Sequence, residues 1–133
     1  MPHEVFDPEH VRDMVPGFHS AVKSRGMIFL AGQVGLNEKL EVVEGGLEAQ
    51  TRQALLNIRE VLELAGAGPD DLAQFMIFYK DVEGLSIAEA VSGLVPLKNK
   101  ILPGSGPVGF ACSVKELLFP DLLIEIQVIA TSA

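Results

Sequence analysis

The chain has 133 residues, 48% of them apolar, and carries 18 acidic against 10 basic residues for a formal charge of −8. That length and apolar content suit one domain over residues 1–133 with a core of its own, and exclude a disordered chain. The acidic balance argues against nucleic acid as the main ligand, since such binding rests on Lys and Arg neutralising phosphates, and no apolar run reaches the ~18 residues of a membrane span.

The N-terminal stretch "MPHEVFDPEH" is acidic and lacks the apolar centre of a secretion signal. The one cysteine cannot form an internal disulfide, which fits a reducing, cytoplasmic setting. The first structural signal is "HSAVKSRGMIFLAGQVG". Two apolar-rich runs flank Ser24-Arg25-Gly26, which predicts a β-hairpin. The second run, Met27 to Val34, is almost continuously apolar and predicts a strand covered on both faces. Gly32 and Gly35 bracket its end, where backbone can approach a ligand or another chain. "KLEVV" follows as a short strand.

"GGLEAQTRQALLNIREVLELAGAG" predicts a helix, with Leu47, Ala54, Leu55, Ile58, Leu62 and Ala65 on one apolar stripe. Glu48–Arg52 and Arg59–Glu63 are i,i+4 pairs on its wet side, and Gly66 suits the C-terminal cap. "GPDD" is a turn and "LAQFMIFYKD" a strand rich in Phe, Ile and Tyr. Ser86 and Glu89 form a capping-box pattern ahead of a second helix that presents Ile87, Ala88, Val91, Leu94 and Val95. Pro96 should kink or restart that helix. "LPGSGP" is a rigid loop before two strands, Val108 to Lys115 and "LLIEIQVIATS". The order β-β-(β)-α-β-α-β-β gives an α+β fold with a mostly antiparallel sheet and two helices on one face. The other sheet face is apolar too, which predicts an oligomer that buries it.

Gly104, Gly106 and Gly109 spell G-x-G-x-x-G, but the stretch follows a helix, opens a strand and contains Pro107, the reverse of a dinucleotide-binding context. His3, His10 and His19 have no metal-ligand spacing, and one cysteine cannot complete a zinc site. His19 reads as a structural hydrogen-bonder. Glu125, inside the apolar strand "LLIEIQVIA", has two readings. It lies on a solvated face with Gln127 and Thr131, or it sits among Leu123 and Ile129 with a raised pKa, poised to activate water. Cys112 alone reads as a small buried hydrophobe, sharing a strand face with Phe110 and Val114 while Lys115 points the other way.

The segments "GFHSAV", "MIFLAGQVG", "EAQTRQALLNIREVLELAGAGPDDL", "FYKDVEGL", the Pro-containing loop before "ACSV", and "LIEIQVIA", in this order and spacing, resemble the Rid family (YjgF, reactive-intermediate deaminases). The resemblance runs from about Pro16 to the C-terminus. It implies a chorismate-mutase-like fold and a homotrimer whose sheets form a central barrel, with ligand clefts between subunits. It also implies cofactor-independent hydrolysis of imines and enamines, such as 2-aminoacrylate, to ketoacids and ammonia. In that family a glutamate positions the attacking water, and its position is filled here by Glu125. The cysteine position is Cys112, with backbone of Ala111 beside it, and the "SGQ" turn is Ala31, Gly32 and Gln33. The cleft tyrosine is replaced by Phe18. The arginine that grips the substrate carboxylate is replaced by Phe110, and an asparagine of the second helix falls near Glu89. A phenyl ring cannot imitate a bidentate Arg–carboxylate contact, so the chain resembles an arginine-lacking subgroup with a substrate other than 2-aminoacrylate. Arg12, Arg25 and Arg52 are the candidates for a replacement clamp. The expected activity is imine or enamine deamination. The alternatives are a non-catalytic metabolite-binding trimer and, against the charge, an endoribonuclease or translation inhibitor.

Overall fold

The first hairpin turns on two residues. Arg25 and Gly26 carry φ of 51° and 77°, the left-handed pair that a two-residue loop between twisted strands requires. They join β2 (Ala21–Ser24) to β3 (Met27–Leu30) in the predicted antiparallel pairing. This structure, a computed structural model, describes residues 3–132. Met1, Pro2 and Ala133, at the ends of the expected domain, lie outside the described residues.

An unforeseen strand, β1 (Glu4–Phe6), pairs with the other edge of β2. The order continues with β4 (Gln33–Val34), α1 (Gly46–Leu64), β5 (Leu72–Lys80), α2 (Ile87–Ile101), β6 (Val108–Val114) and β7 (Ile124–Thr131). The strands make one sheet in the order β1-β2-β3-β7-β5-β6, with β4 also paired to β7. Among the described residues only β5 and β6 run parallel; the other pairs are antiparallel. The result is the expected α+β arrangement. Ile28, Leu30, Phe75, Ile77, Ile124, Ile126 and Val128 of the sheet share one core with Ala54, Leu55, Ile58 and Leu62 of α1 and Leu94 and Ile101 of α2.

α1 ends as its sequence predicts. Gly66 has φ of 78°. The Ala67 amide donates to the Leu62 carbonyl at 2.8 Å and the Gly66 amide to the Glu63 carbonyl at 3.0 Å, the bond pair of a Schellman cap. Two side chains of α1 then tie down the loops of the sheet's far side. Gln50, 3% exposed, donates from Nε2 to the Asp121 carbonyl at 2.9 Å and accepts the Leu123 amide at 2.8 Å. Asn57 donates to the carbonyls of Val34 and Leu36 at 3.0 and 2.9 Å. Gly35 permits this approach, since a Cβ there would meet Gln50 Cβ at 2.7 Å.

Five expectations need correction. The run Met27 to Val34 is not one strand: it breaks after Leu30, and within this chain Met27 and Phe29 are exposed. "KLEVV" holds only an isolated bridge between Leu36 and Val42, because two polar turns leave no partner strand beside it. Helix α2 does not restart at Pro96 but runs through it, and its Ala88 and Val95 face solvent while Lys98 joins the buried set. Arg59 and Glu63 make no ion pair among the described residues, whereas Arg52 and Glu48 do at 3.4 Å. Cys112 is exposed in this chain, since β6 is an edge strand whose outer face no helix covers.

Replacing Gln50 by Ala strands the partly buried Leu123 amide without its acceptor. The expected cost is about 2 kcal/mol, read as a lowered urea midpoint with an unchanged far-UV spectrum.

Candidate functional site

The site begins with the alternation of β7. Ile124, Ile126, Val128 and Ala130 go into the core, so Glu125, Gln127 and Ile129 project from the opposite face. Glu125 lies opposite Val34 of β4 on one side and Phe78 of β5 on the other. The β3–β4 connection crosses its side chain. A Cβ on Gly32 would sit 2.7 Å from Glu125 Cδ, so only glycine leaves room for the carboxylate there. Glu125 accepts no hydrogen bond among the described residues, and burial pushes its carboxyl pKa above the ordinary 4.5.

Glu125 borders a cleft of about 230 Å³ that Phe18, Ala31, Gly32 and Gln33 also line. The structure thus assembles five of the sequence-predicted site residues around one space. Gln33 turns its amide back to the Ala31 carbonyl at 3.1 Å, which stiffens the turn. Phe18 is 74% exposed and forms a rim with Met14, Val15, Leu118 and Phe119.

Phe110, Ala111 and Cys112 lie elsewhere in the same chain. They are on β6, with Phe110 opposite Met76 and Cys112 opposite Phe78. Phe78 therefore stands between Cys112 and Glu125 on the open sheet face, two strand spacings or roughly 10 Å across. Phe110 meets Phe78 edge to face, with ring centroids 6.0 Å apart. The Ala111 side chain packs against the core, leaving its backbone for any ligand.

None of the three candidate replacement arginines lines the cleft. Arg12 donates to the Asp7 carbonyl at 3.5 Å, Arg52 pairs with Glu48, and Arg25 occupies the hairpin turn. Glu89 serves the start of α2, where its amide donates to Ser86 Oγ at 3.3 Å. No group of three or more metal-ligating side chains occurs among the described residues.

Sequence reasoning missed Asp7, which also lines the cleft. Its Oδ2 lies 2.7 Å from His19 Nδ1 and its Oδ1 accepts the Ser20 amide at 2.8 Å. Burial raises the Asp7 pKa, but the hydrogen bonds from His19 and Ser20 and the charges of His19 and Arg12 outweigh it, leaving the carboxyl below its usual range. The hydrogen bond expected of His19 is thus present. Its partner, 12 residues earlier, gave no local signal.

The sequence model of the Endoribonuclease L-PSP family matches residues 12–132. A RutC family protein of Pyrococcus horikoshii is 31% identical over 128 residues, 96% of each chain. The chain belongs to the Rid family. A solved Rid family protein of unknown function from Yersinia pestis, YyfA, superposes with a TM-score of 0.83 at 25% identity, covering 97% of this chain and 98% of its own. The YjgF gene product of Escherichia coli gives 0.82 at 24% identity, covering 98% and 99%. This Rid protein accordingly has the chorismate-mutase-like fold of those structures.

The burial of Glu125 has a consequence for stability. Its raised pKa means that the folded protein holds a proton which the unfolded chain has already released. The contribution of Glu125 to stability is therefore fullest below pH 4.5, the ordinary glutamate value, and is lost as pH rises through the folded pKa. Thermal melts across pH should show Glu125→Gln more stable than wild type at neutral pH, with the gap closing below 4.5.

Proposed function

We propose that this Rid protein is a cofactor-independent imine or enamine deaminase acting on a substrate other than 2-aminoacrylate. One observation carries the reading: the half-buried, unbonded Glu125 carboxylate facing a mostly apolar cleft over Gly32. A carboxylate with a raised pKa both accepts a proton from water and returns it to a departing amine. Water delivered to the C=N carbon gives a carbinolamine, and its collapse releases ammonia and a carbonyl compound.

Phe110 supports a substrate other than the usual one. A carboxylate that loses a buried cationic partner is held about 3 kcal/mol less tightly, roughly a hundredfold in affinity. Phe18 and Phe110 favour a flatter, more apolar ligand. The endoribonuclease activity named by the family description finds little support, because the charge is −8 and the cleft is bordered by Asp7, Glu60 and Glu125.

The assembly proposed with it is a homotrimer with sites between subunits. Its support is the sheet face that neither helix covers, where Phe29 is 40% and Phe110 48% exposed. Packing these faces together would bury them and bring β6 of one subunit toward the Glu125 cleft of the next. Light scattering should give three times the 14.3 kDa chain mass, and Phe29→Glu should lower it.

A metabolite-binding role without turnover is the second reading, favoured by phenylalanine at both positions 18 and 110. Ammonia release from freshly generated 2-aminoacrylate and from other imines separates the two. Deamination predicts turnover of at least one imine, lowered on the order of 10²–10⁴-fold in Glu125→Gln. It also predicts that Phe110→Arg improves handling of 2-aminoacrylate. Tight binding with no turnover of any imine would sink the deaminase reading and leave the binding one.

A further inference from the structure

C–N hydrolysis needs proton transfers at two atoms, the attacking oxygen and the departing nitrogen. Glu125 is one titratable group in the cleft, and the Asp7–His19 pair is another on its border. Asp7 is held in place: its side chain is 14% exposed, Oδ1 takes the Ser20 amide, and Oδ2 takes His19 Nδ1 at 2.7 Å. A carboxylate at Nδ1 selects the tautomer with hydrogen on Nδ1 and leaves Nε2 free for proton exchange. Nε2 has no hydrogen-bond partner among the described residues. The ring is 38% exposed, so it is reachable.

Resting on the deaminase reading above, we infer that His19 is the second acid–base residue of the cleft, oriented and charge-balanced by Asp7. In the first step the Glu125 carboxylate takes a proton from water as the C–O bond forms. The π pair of C=N moves to nitrogen, which takes the proton of His19 Nε2. The carbinolamine that results faces protonated Glu125 and neutral His19. In the second step Glu125 returns its proton to the amine and the C–N bond breaks with its electron pair on nitrogen. His19 takes the hydroxyl proton as C=O forms, and both groups regain their starting states with ammonia released. The protonated pair is neutral overall because Asp7 offsets the imidazolium. It therefore moves protons without gripping a carboxylate as an arginine would.

Several charged groups face this pair. Arg12 donates to the Asp7 carbonyl from the segment after β1. His10 and Glu60 of α1 stand 3.9 Å apart on the same cleft, and Glu125 enters from β7.

The test uses imines made in situ from leucine and phenylalanine by an amino-acid oxidase, and from benzylamine by an amine oxidase, with semicarbazide as competing trap. Wild type, His19→Asn, Asp7→Asn and Glu125→Gln are compared across pH. His19→Asn should lower kcat on the order of a hundredfold and abolish one limb of the pH–rate profile, with added imidazole restoring part of the rate in His19→Ala. Asp7 is a positioning residue, so Asp7→Asn should lower kcat with little change in KM and move the neutral ring's proton from Nδ1 toward Nε2. If His19→Asn turns over with wild-type rate and pH profile while Glu125→Gln is inactive, the inference fails and the deaminase reading stands. If wild type accelerates none of the imines, both fall. Nitrogen NMR of the wild-type ring gives an arm independent of variant folding, and a neutral ring protonated on Nε2 would overturn the assignment.

Discussion

The period of two along β7 is the constraint on which everything else rests. This strand is hydrogen-bonded to β3, β4 and β5, so its register is set from both sides. One set of its side chains seals the core against α1 and α2. The other set is thereby committed to the opposite face, and Glu125 with it. Slipping the register by one residue would turn Glu125 and Gln127 into the core and put Ile124, Ile126 and Val128 on the open face. A carboxylate can persist in an apolar strand because the energy of the buried alternates forces it out into the cleft.

The surroundings of Glu125 are placed by α1. Gln50 and Asn57 spend their amides on backbone of the segments on either side of the cleft, Asp121 to Leu123 and Val34 to Leu36. Gly35 allows the helix to lie that close, and Gly32 allows the turn to cross the glutamate. The cleft is therefore preorganised by the same contacts that close the core. Its polar groups include a partly buried carboxylate at one point and a carboxylate-bound imidazole at another. That combination suits proton transfer to and from a small ligand held by apolar walls better than it suits recognition of phosphate.

The open sheet face links fold to assembly. Phe110 and Cys112 do not meet Glu125 within the chain because β5 intervenes and Phe78 fills the gap. The two halves of the site that the family resemblance brings together are thus separated by a strand. Association through the exposed Phe29 and Phe110 surface would bury apolar area and give the second half a route to the first. On this view the apolar residues of the open face serve assembly and substrate selection together.

Much of this was legible in the sequence. Periodicity located both helices and the long strands β5, β6 and β7, because each keeps its pattern over several turns or pleats. The Ser24-Arg25-Gly26 hairpin and the Gly66 cap were legible because glycine supplies backbone that other residues resist. Glu125 stood out locally as a carboxylate in an apolar strand and Gly32 as a strand-end glycine, whereas the candidate roles of Phe18 and Phe110 came only from a resemblance spread over the chain. Tertiary structure decided what local pattern does not encode. The end of β3 at Leu30, the loss of "KLEVV" as a strand and the exposure of Cys112 all depend on which neighbour is present. So does the pairing of Asp7 with His19, a contact across two strands between residues that look unremarkable apart. Sequence carries the period of each element; which faces meet, and what a lone carboxylate or imidazole finds there, is settled only when distant segments compete for the same space.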